Sequence, residues 1–253
     1  MDIEKLKCLQ TLSCSNCSRL KHFPKIKDNM KNLRNLFLDG TAIETLPPSI
    51  EHLEGLEYLN LCGCKNLVSL PKSICNLRFL KTLFVIECPK LHKLPKDLGS
   101  LKCLEKLSLC SLSCAIPRLA GLSSLRGSNT RQGIIGNVSC LSLLTELNLS
   151  YCYLKEGEIL NDIFDISSLE SLDLSGTSIR LIPSDINKLS KLKFLGLRRC
   201  KELQGIMELP SSLRILDAHD CTFMKNVSSA WSLPWQRQLW HSLFDCFKSE
   251  IEV

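Results

Sequence analysis

The stretch 53–71, LEGLEYLNLCGCKNLVSLP, decides the fold. Its frame is L-x-x-L-x-x-L-x-L-x-x-C-x-x-L-x-x-L-P, carried by Leu53, Leu56, Leu59, Leu61, Cys64, Leu67, Leu70 and Pro71. Leu59 and Leu61 are two residues apart, so a strand puts them on one face and Tyr58, Asn60 and Cys62 on the other. Cys64 falls where the chain turns out of the strand, a place that takes a small, buriable side chain able to bond backbone groups. Leu67 and Leu70 return to the core, Pro71 closes the descending segment, and Ile74 and Leu77 anchor the outer side. One such unit cannot bury its own apolar face, so copies must stack.

Working outward, the frame recurs on both sides. Upstream it is carried by Leu9, Leu12, Cys14 and Cys17, then by Leu36, Leu38, Thr41 and Leu46-Pro47. Downstream come Leu83, Val85 and Cys88, then Leu107 and Leu109, then Leu147, Leu149 and Cys152. The series continues with Leu172, Leu174 and Thr177, then Leu195, Leu197 and Cys200, and closes with Leu216, Ala218 and Cys221. The spacing breaks between Leu107 and Leu147, where 118–140 is rich in Gly, Ser and Asn and reads as an irregular insertion. The predicted organisation is a repeat array over 1–224 and a segment over 225–253 that caps the array or begins another domain. That segment holds Trp231, Trp235 and Trp240, and Leu239, Leu243 and Phe247 have helical spacing. The segment P-x-x-I-x-x-L is too short for a full helix, so short turns or 3-10 pieces are expected on the outer side.

Composition narrows the function. The formal net charge is +6 with no block of about five or more consecutive basic residues, which does not favour nucleic acid as a partner. No apolar run is long enough to span a membrane, and the start, MDIEKLKCLQTL, has no secretory apolar region. There are 15 cysteines, but many sit on repeat positions (Cys14, Cys17, Cys64, Cys88, Cys152, Cys200 and Cys221), which explains them as buried thiols of a reducing compartment. Cys14-Ser-Asn-Cys17 is a C-x-x-C with no second pair at zinc spacing. The histidines are scattered and form no set with Ser and Asp, so neither catalysis, metal nor cofactor is expected.

The frame resembles the leucine-rich-repeat region of plant disease resistance proteins of the TIR-type nucleotide-binding class. LNLSYCYLKEGEI (147–159), LDLSGTSI (172–179), LKFLGLRRCKELQ (192–204) and ELPSSLRILDAHDC (208–221) carry the likeness, and LFDCFKSEI (243–251) is similar to the junction beyond the repeats. The resemblance implies an α/β repeat fold: a leucine-rich-repeat solenoid, or horseshoe, with a concave parallel β-sheet of about nine strands. It also implies an intracellular receptor, cytoplasmic or nuclear, that recognises a pathogen effector or a guarded host protein and contributes to autoinhibition. Partners in cis would be the nucleotide-binding and TIR domains of the parent receptor, of which this chain holds no phosphate-loop motif. The frame is met at Ile3 without a capping element, which reads as a piece of a larger receptor. A generic cytosolic scaffold or signalling adaptor is the alternative. An extracellular receptor is disfavoured because the outer frame is L-P-x-x-I rather than G-x-I-P.

In such a solenoid the residues flanking the strand leucines face the concavity and are free to vary. Phe37, Tyr58, Phe84 and Ile86 would form one apolar patch over three adjacent strands, with Asn60 among them. Arg198, with Arg199, Asp217 and His219, would supply charged specificity near the C-terminal end, beside Phe194. These residues are the expected protein-binding site.

Overall fold

The computed structural model describes residues 5–91, 94–95, 97–110, 141–152 and 163–221, with the backbone of 226–227. The insertion at 118–140, the tryptophans and nearly all of 225–253 lie outside the described residues. The chain divides into two compact units, Met1–Leu144 and Thr145–Val253.

In the first unit, five short strands pair in parallel: β1 (Thr11–Ser13), β2 (Asn35–Phe37), β3 (Tyr58–Asn60), β4 (Thr82–Phe84) and β5 (Lys106–Ser108). In the second, β6 (Glu146–Asn148), β7 (Ser171–Asp173), β9 (Phe194–Gly196) and β11 (Ile215–Asp217) do the same. Each strand is the x-L-x of the frame. Its central leucine is in register with the central leucine of the neighbouring strand, Leu36 with Leu59 and Leu59 with Leu83. Leu36, Leu59, Leu83, Leu172 and Leu195 have no exposed surface. A one-residue slip would drive every leucine of a strand into water, so the hydrophobic pattern fixes the register.

The outer side is built as expected from 3-10 turns. Pro48–His52, Lys72–Asn76 and Leu98–Ser100 lie in the first unit and Ser184–Lys188 in the second. The L-P step sets three of them: Pro47, Pro71 and Pro183 stand at the N-cap in extended backbone, and Ile50, Ile74 and Ile186 point inward. The second unit adds a small parallel sheet of β8 (Leu181–Ile182), β10 (Gly205–Ile206) and β12 (Asn226–Val227) on its descending segments. The repeat frame gives no sign of it.

The turn position works as the spacing implied. Cys64 Sγ donates to the carbonyl of Leu38 at 3.1 Å, Cys88 Sγ to that of Leu61 at 3.1 Å, Cys200 Sγ to that of Leu174 at 3.3 Å and Cys221 Sγ to that of Leu197 at 2.9 Å. Thr41 and Thr177 do the same within their own turns, onto Leu38 and Leu174. Thiols thus give the strand carbonyl one repeat back a further donor, beside the backbone N–H three residues on that it already accepts from. All described cysteines are free thiols. Burial pushes Cys88 up to about 12 and Cys75 up to about 11, so both stay protonated, and Cys88 serves as a small apolar donor.

One position before each turn residue, the backbone is left-handed. Asn16, Gly40, Gly63 and Glu87 in the first unit, and Tyr151, Gly176, Arg199 and Asp220 in the second, have φ between 56° and 67°. Their N–H groups reach the next repeat: Gly40 N to Cys62 O at 2.8 Å, Gly63 N to Ile86 O at 2.7 Å, Glu87 N to Cys110 O at 2.9 Å. This bond extends the ladder past the strand end, and it holds three large side chains in a conformation that favours glycine.

Candidate protein-recognition face

The strand residues flanking each central leucine are half-buried or exposed on the open face of the sheet, apart from the buried Gly196. In the first unit, register places Phe37 opposite Asn60 and Asn60 opposite Phe84, while Tyr58 stands opposite Asn35 and Thr82. Tyr58 therefore occupies a row of its own between the two phenylalanines and reaches both on the diagonal. Its ring centroid is 5.0 Å from Phe37, tilted by 41°, and 5.7 Å from Phe84, edge-on at 80°. Both are favourable geometries of the aromatic quadrupole, worth about 0.5–1.5 kcal/mol per pair beyond area burial. The three rings form one ladder across β2, β3 and β4. Ile86 lies past the end of β4, half-buried, and its carbonyl accepts from Gly63 N; among the described residues the ring contacts are those of Phe37, Tyr58 and Phe84.

The polar groups around the ladder are bonded to one another. Asn60 Oδ1 accepts from Cys62 N at 3.0 Å, and its Nδ2 donates to Asp39 Oδ1 at 3.2 Å. Asp39 also accepts from Ser15 Oγ at 2.7 Å, and Asn35 Nδ2 donates to Thr11 Oγ1 at 3.0 Å. Asn60 is thus first a strand-exit residue. Asn148, Asp173 and Asp217 repeat its bond to the backbone N two residues on, at Ser150, Ser175 and His219. Desolvation, with Cys62 and Asp39 nearby, pushes the Tyr58 phenol up, so it remains a neutral donor. Burial likewise pushes Cys62 up, which disfavours a reactive thiolate there.

In the second unit the charged cluster is only partly assembled. Asp217 accepts from His219 Nδ1 at 2.7 Å and lies 3.8 Å from Arg198 Nε. Arg199 is left-handed and turns to Asp220 instead, at 3.2 Å, so it sits on the turn edge and not on the strand face. Gly196 separates Asp173 from Asp217 in one row. A Cβ there would come 2.5 Å from Asp173 Oδ1 and 3.2 Å from the Phe194 ring, so the missing side chain is what lets both lie over β9. Phe194 is half-buried beside Ile215, which flanks Leu216 on the strand face and is 55% exposed.

Among the described residues, no group of His, Cys, Asp and Glu is arranged to hold a metal ion. No helix among them is long and apolar enough to cross a membrane.

Comparison with known proteins agrees with this geometry. A family model described as a leucine-rich repeat region matches residues 1–131, and a leucine-rich repeat model matches 143–166 and 168–189. The chain is 34% identical to the disease resistance-like protein DSC1 of Arabidopsis thaliana over 98% of its own length and 15% of that protein. It is 35% identical to the disease resistance protein RPP2B of Arabidopsis thaliana over 96% of its length and 21% of that protein. To the TMV resistance protein N of Nicotiana glutinosa it is 34% identical over 84% of its length and 19% of that protein. The chain thus spans about a fifth or less of the curated relatives it matches. The leucine-rich repeat domain of the type III effector XopL shares the fold, with a TM-score of 0.55 at 21% identity over 93% of this chain and 78% of that one. The chain belongs to the leucine-rich repeat family and corresponds to the repeat region of plant disease resistance proteins.

Proposed function

We propose that the chain is the ligand-sensing repeat module of an intracellular plant immune receptor. It takes a protein ligand, a pathogen effector or a guarded host protein, on the strand face of the Met1–Leu144 unit. The observation that carries this reading is the Phe37–Tyr58–Phe84 ladder. Three aromatic rings left partly in water on adjacent strands form a hot-spot geometry, and the polar groups around them are already bonded to each other. Such a face offers apolar contact area and few unsatisfied polar groups. Arg198, Asp217, His219 and Phe194 would add charged selectivity on the second unit, and Ile86 and Asn60 would border the aromatic contact. Relatives named as disease resistance proteins support the receptor setting, in which the module also restrains nucleotide-binding and TIR domains in cis, in the cytoplasm or nucleus.

The test is a paired pull-down from infected and healthy leaf tissue with the wild-type chain and a Phe37→Ala/Phe84→Ala variant. The variant stays folded, at an unfolding temperature lowered by the loss of the two ring contacts, and loses a protein that the wild type retains. An identical set of retained proteins for the two chains would refute the reading.

A further inference from the structure

Outward side chains continue at period two past each strand end. Asp39, Cys62 and Ile86 therefore follow Phe37, Asn60 and Phe84 on the open face of the sheet, and all three are half-buried. Among the outward residues of β2, β3 and β4 and these continuations, Asp39 is the only Asp, Glu, Lys or Arg.

The Asp39 carboxylate is held in place by one neutral donor from each neighbouring repeat. Its Oδ1 accepts from Ser15 Oγ at 2.7 Å and from Asn60 Nδ2 at 3.2 Å. Its Oδ2 makes no bond, and among the described residues no cation is paired with either oxygen. The cations that precede β2 and β4, Arg34 and Lys81, both turn to Glu57, at 3.0 and 2.8 Å. The charge nevertheless reaches the ladder. Tyr58, Cys62 and Cys64 are each pushed up first by burial, and Asp39 is among the neighbours that push them further.

Such a carboxylate is tolerable while water solvates its second oxygen. A partner that covers Phe37, Tyr58 and Phe84 takes that water away, and a charge buried unpaired is strongly unfavourable. Apolar contact on the ladder is therefore productive only when the partner brings a cation to Asp39.

We propose that the protein taken on the aromatic ladder presents an arginine side chain that lies along the rings and ends on Oδ2 of Asp39. This rests on the reading of the ladder as the contact surface. Arginine fits better than lysine on two counts. Its planar guanidinium stacks on aromatic faces, and it is less strongly hydrated than an ammonium, so it loses less on leaving water.

The test uses the whole 253-residue chain and three labelled peptides in which Leu alternates with Arg, Lys or Glu, with fluorescence anisotropy as the readout. The chain's net charge of +6 opposes a basic peptide, so a preference for one has a local origin. The wild type binds the Arg peptide about threefold or more tighter than the Lys peptide, and the Glu peptide weakest. Asp39→Asn keeps the Oδ1 acceptor used by Ser15 and Asn60, so the fold is retained, and it weakens the Arg peptide about tenfold without weakening the Glu peptide. Glu44→Gln removes the same charge from an exposed position off the strand face and leaves all three affinities unchanged. Equal affinity of wild type and Asp39→Asn for the Arg peptide, equal losses in Asp39→Asn and Glu44→Gln, a preference for the Lys or Glu peptide, or no binding of the Arg peptide would overturn the proposal. In any of those cases the ladder reading stands if Phe37→Ala/Phe84→Ala still loses the leaf protein that the wild type retains, and it falls too if that protein is kept.

Discussion

The left-handed turns give a pair of substitutions with opposite expected signs. Gly63 has φ of 67° and Glu87, one repeat later, has φ of 56°. Both N–H groups make the same inter-repeat bond, to Ile86 O and Cys110 O. At Gly63 a Cβ would meet nothing closer than Gly40 N at 3.6 Å, which is ordinary contact. Gly63→Ala therefore isolates the backbone term, about 1–2 kcal/mol against an L-residue in this region. The unfolded chain loses entropy with alanine, which returns about 0.4–1 kcal/mol. The net expectation is a loss of about 1 kcal/mol. Glu87→Gly reverses both terms and should gain about 0.5–1 kcal/mol; among the described residues Glu87 makes no side-chain bond that its removal would cost. Urea unfolding read at the midpoint, with the slope unchanged, measures both. Destabilisation by Glu87→Gly, or no effect of Gly63→Ala, would refute the turn geometry.

Three further outcomes follow from the core and the convex surface. Thr41→Val should cost about 1 kcal/mol, since Thr41 N and Cys64 Sγ still donate to the Leu38 carbonyl, and Thr41→Val/Cys64→Ala should be non-additive, because Thr41 Oγ1 and Cys64 Sγ share that acceptor and lie 3.4 Å apart; a double-mutant cycle with no coupling would contradict the shared acceptor. Iodoacetamide on the native chain at mildly alkaline pH should modify exposed Cys8 and Cys17 and spare Cys75 and Cys88, whose thiols burial holds near 11 and 12; peptide mapping that finds Cys88 modified as fast as Cys8 would contradict it. The Lys81 hydrogen bond and the Arg34 charge hold the Glu57 carboxyl below its ordinary value. Its contribution is therefore present above the unfolded value and is lost as pH falls through the lower folded one. Glu57→Gln should remove well under 1 kcal/mol at neutral pH and nothing in strong acid, because the pair faces solvent; a larger loss in acid than at neutrality would reverse the sign.

Much of this molecule was legible because one side-chain rule, repeated, fixes both strand and register. Leu59 and Leu61 define the strand, Pro71 and Ile74 define the 3-10 turn, and Cys64 marks the turn residue, each at a spacing that only a stacked strand satisfies. The aromatic ladder was legible as a set of positions. Its shape was not, since Tyr58 meets Phe37 and Phe84 only through a diagonal across rows, which depends on ring rotation rather than spacing. Arg199 was misplaced for a related reason: adjacent to Arg198 in sequence, it falls on the left-handed position, which swings its side chain out of the strand plane toward Asp220. The sheet of β8, β10 and β12 escaped because two-residue strands carry no periodicity. Asn60 was read as a contact residue, and it also closes the strand exit through Cys62 N, a local bond that spacing does not reveal.

The central claim is that partners are taken on the aromatic ladder of the strand face. Its most direct test places a photo-cross-linking benzoyl-phenylalanine at Tyr58, and in a control at exposed Lys102 on the outer side, in chains expressed in infected leaf tissue. The account predicts one protein cross-linked from position 58 and lost when Phe37→Ala and Phe84→Ala are added, with nothing equivalent from position 102. Cross-linking from position 102 alone, or from position 58 regardless of the two phenylalanines, would contradict it.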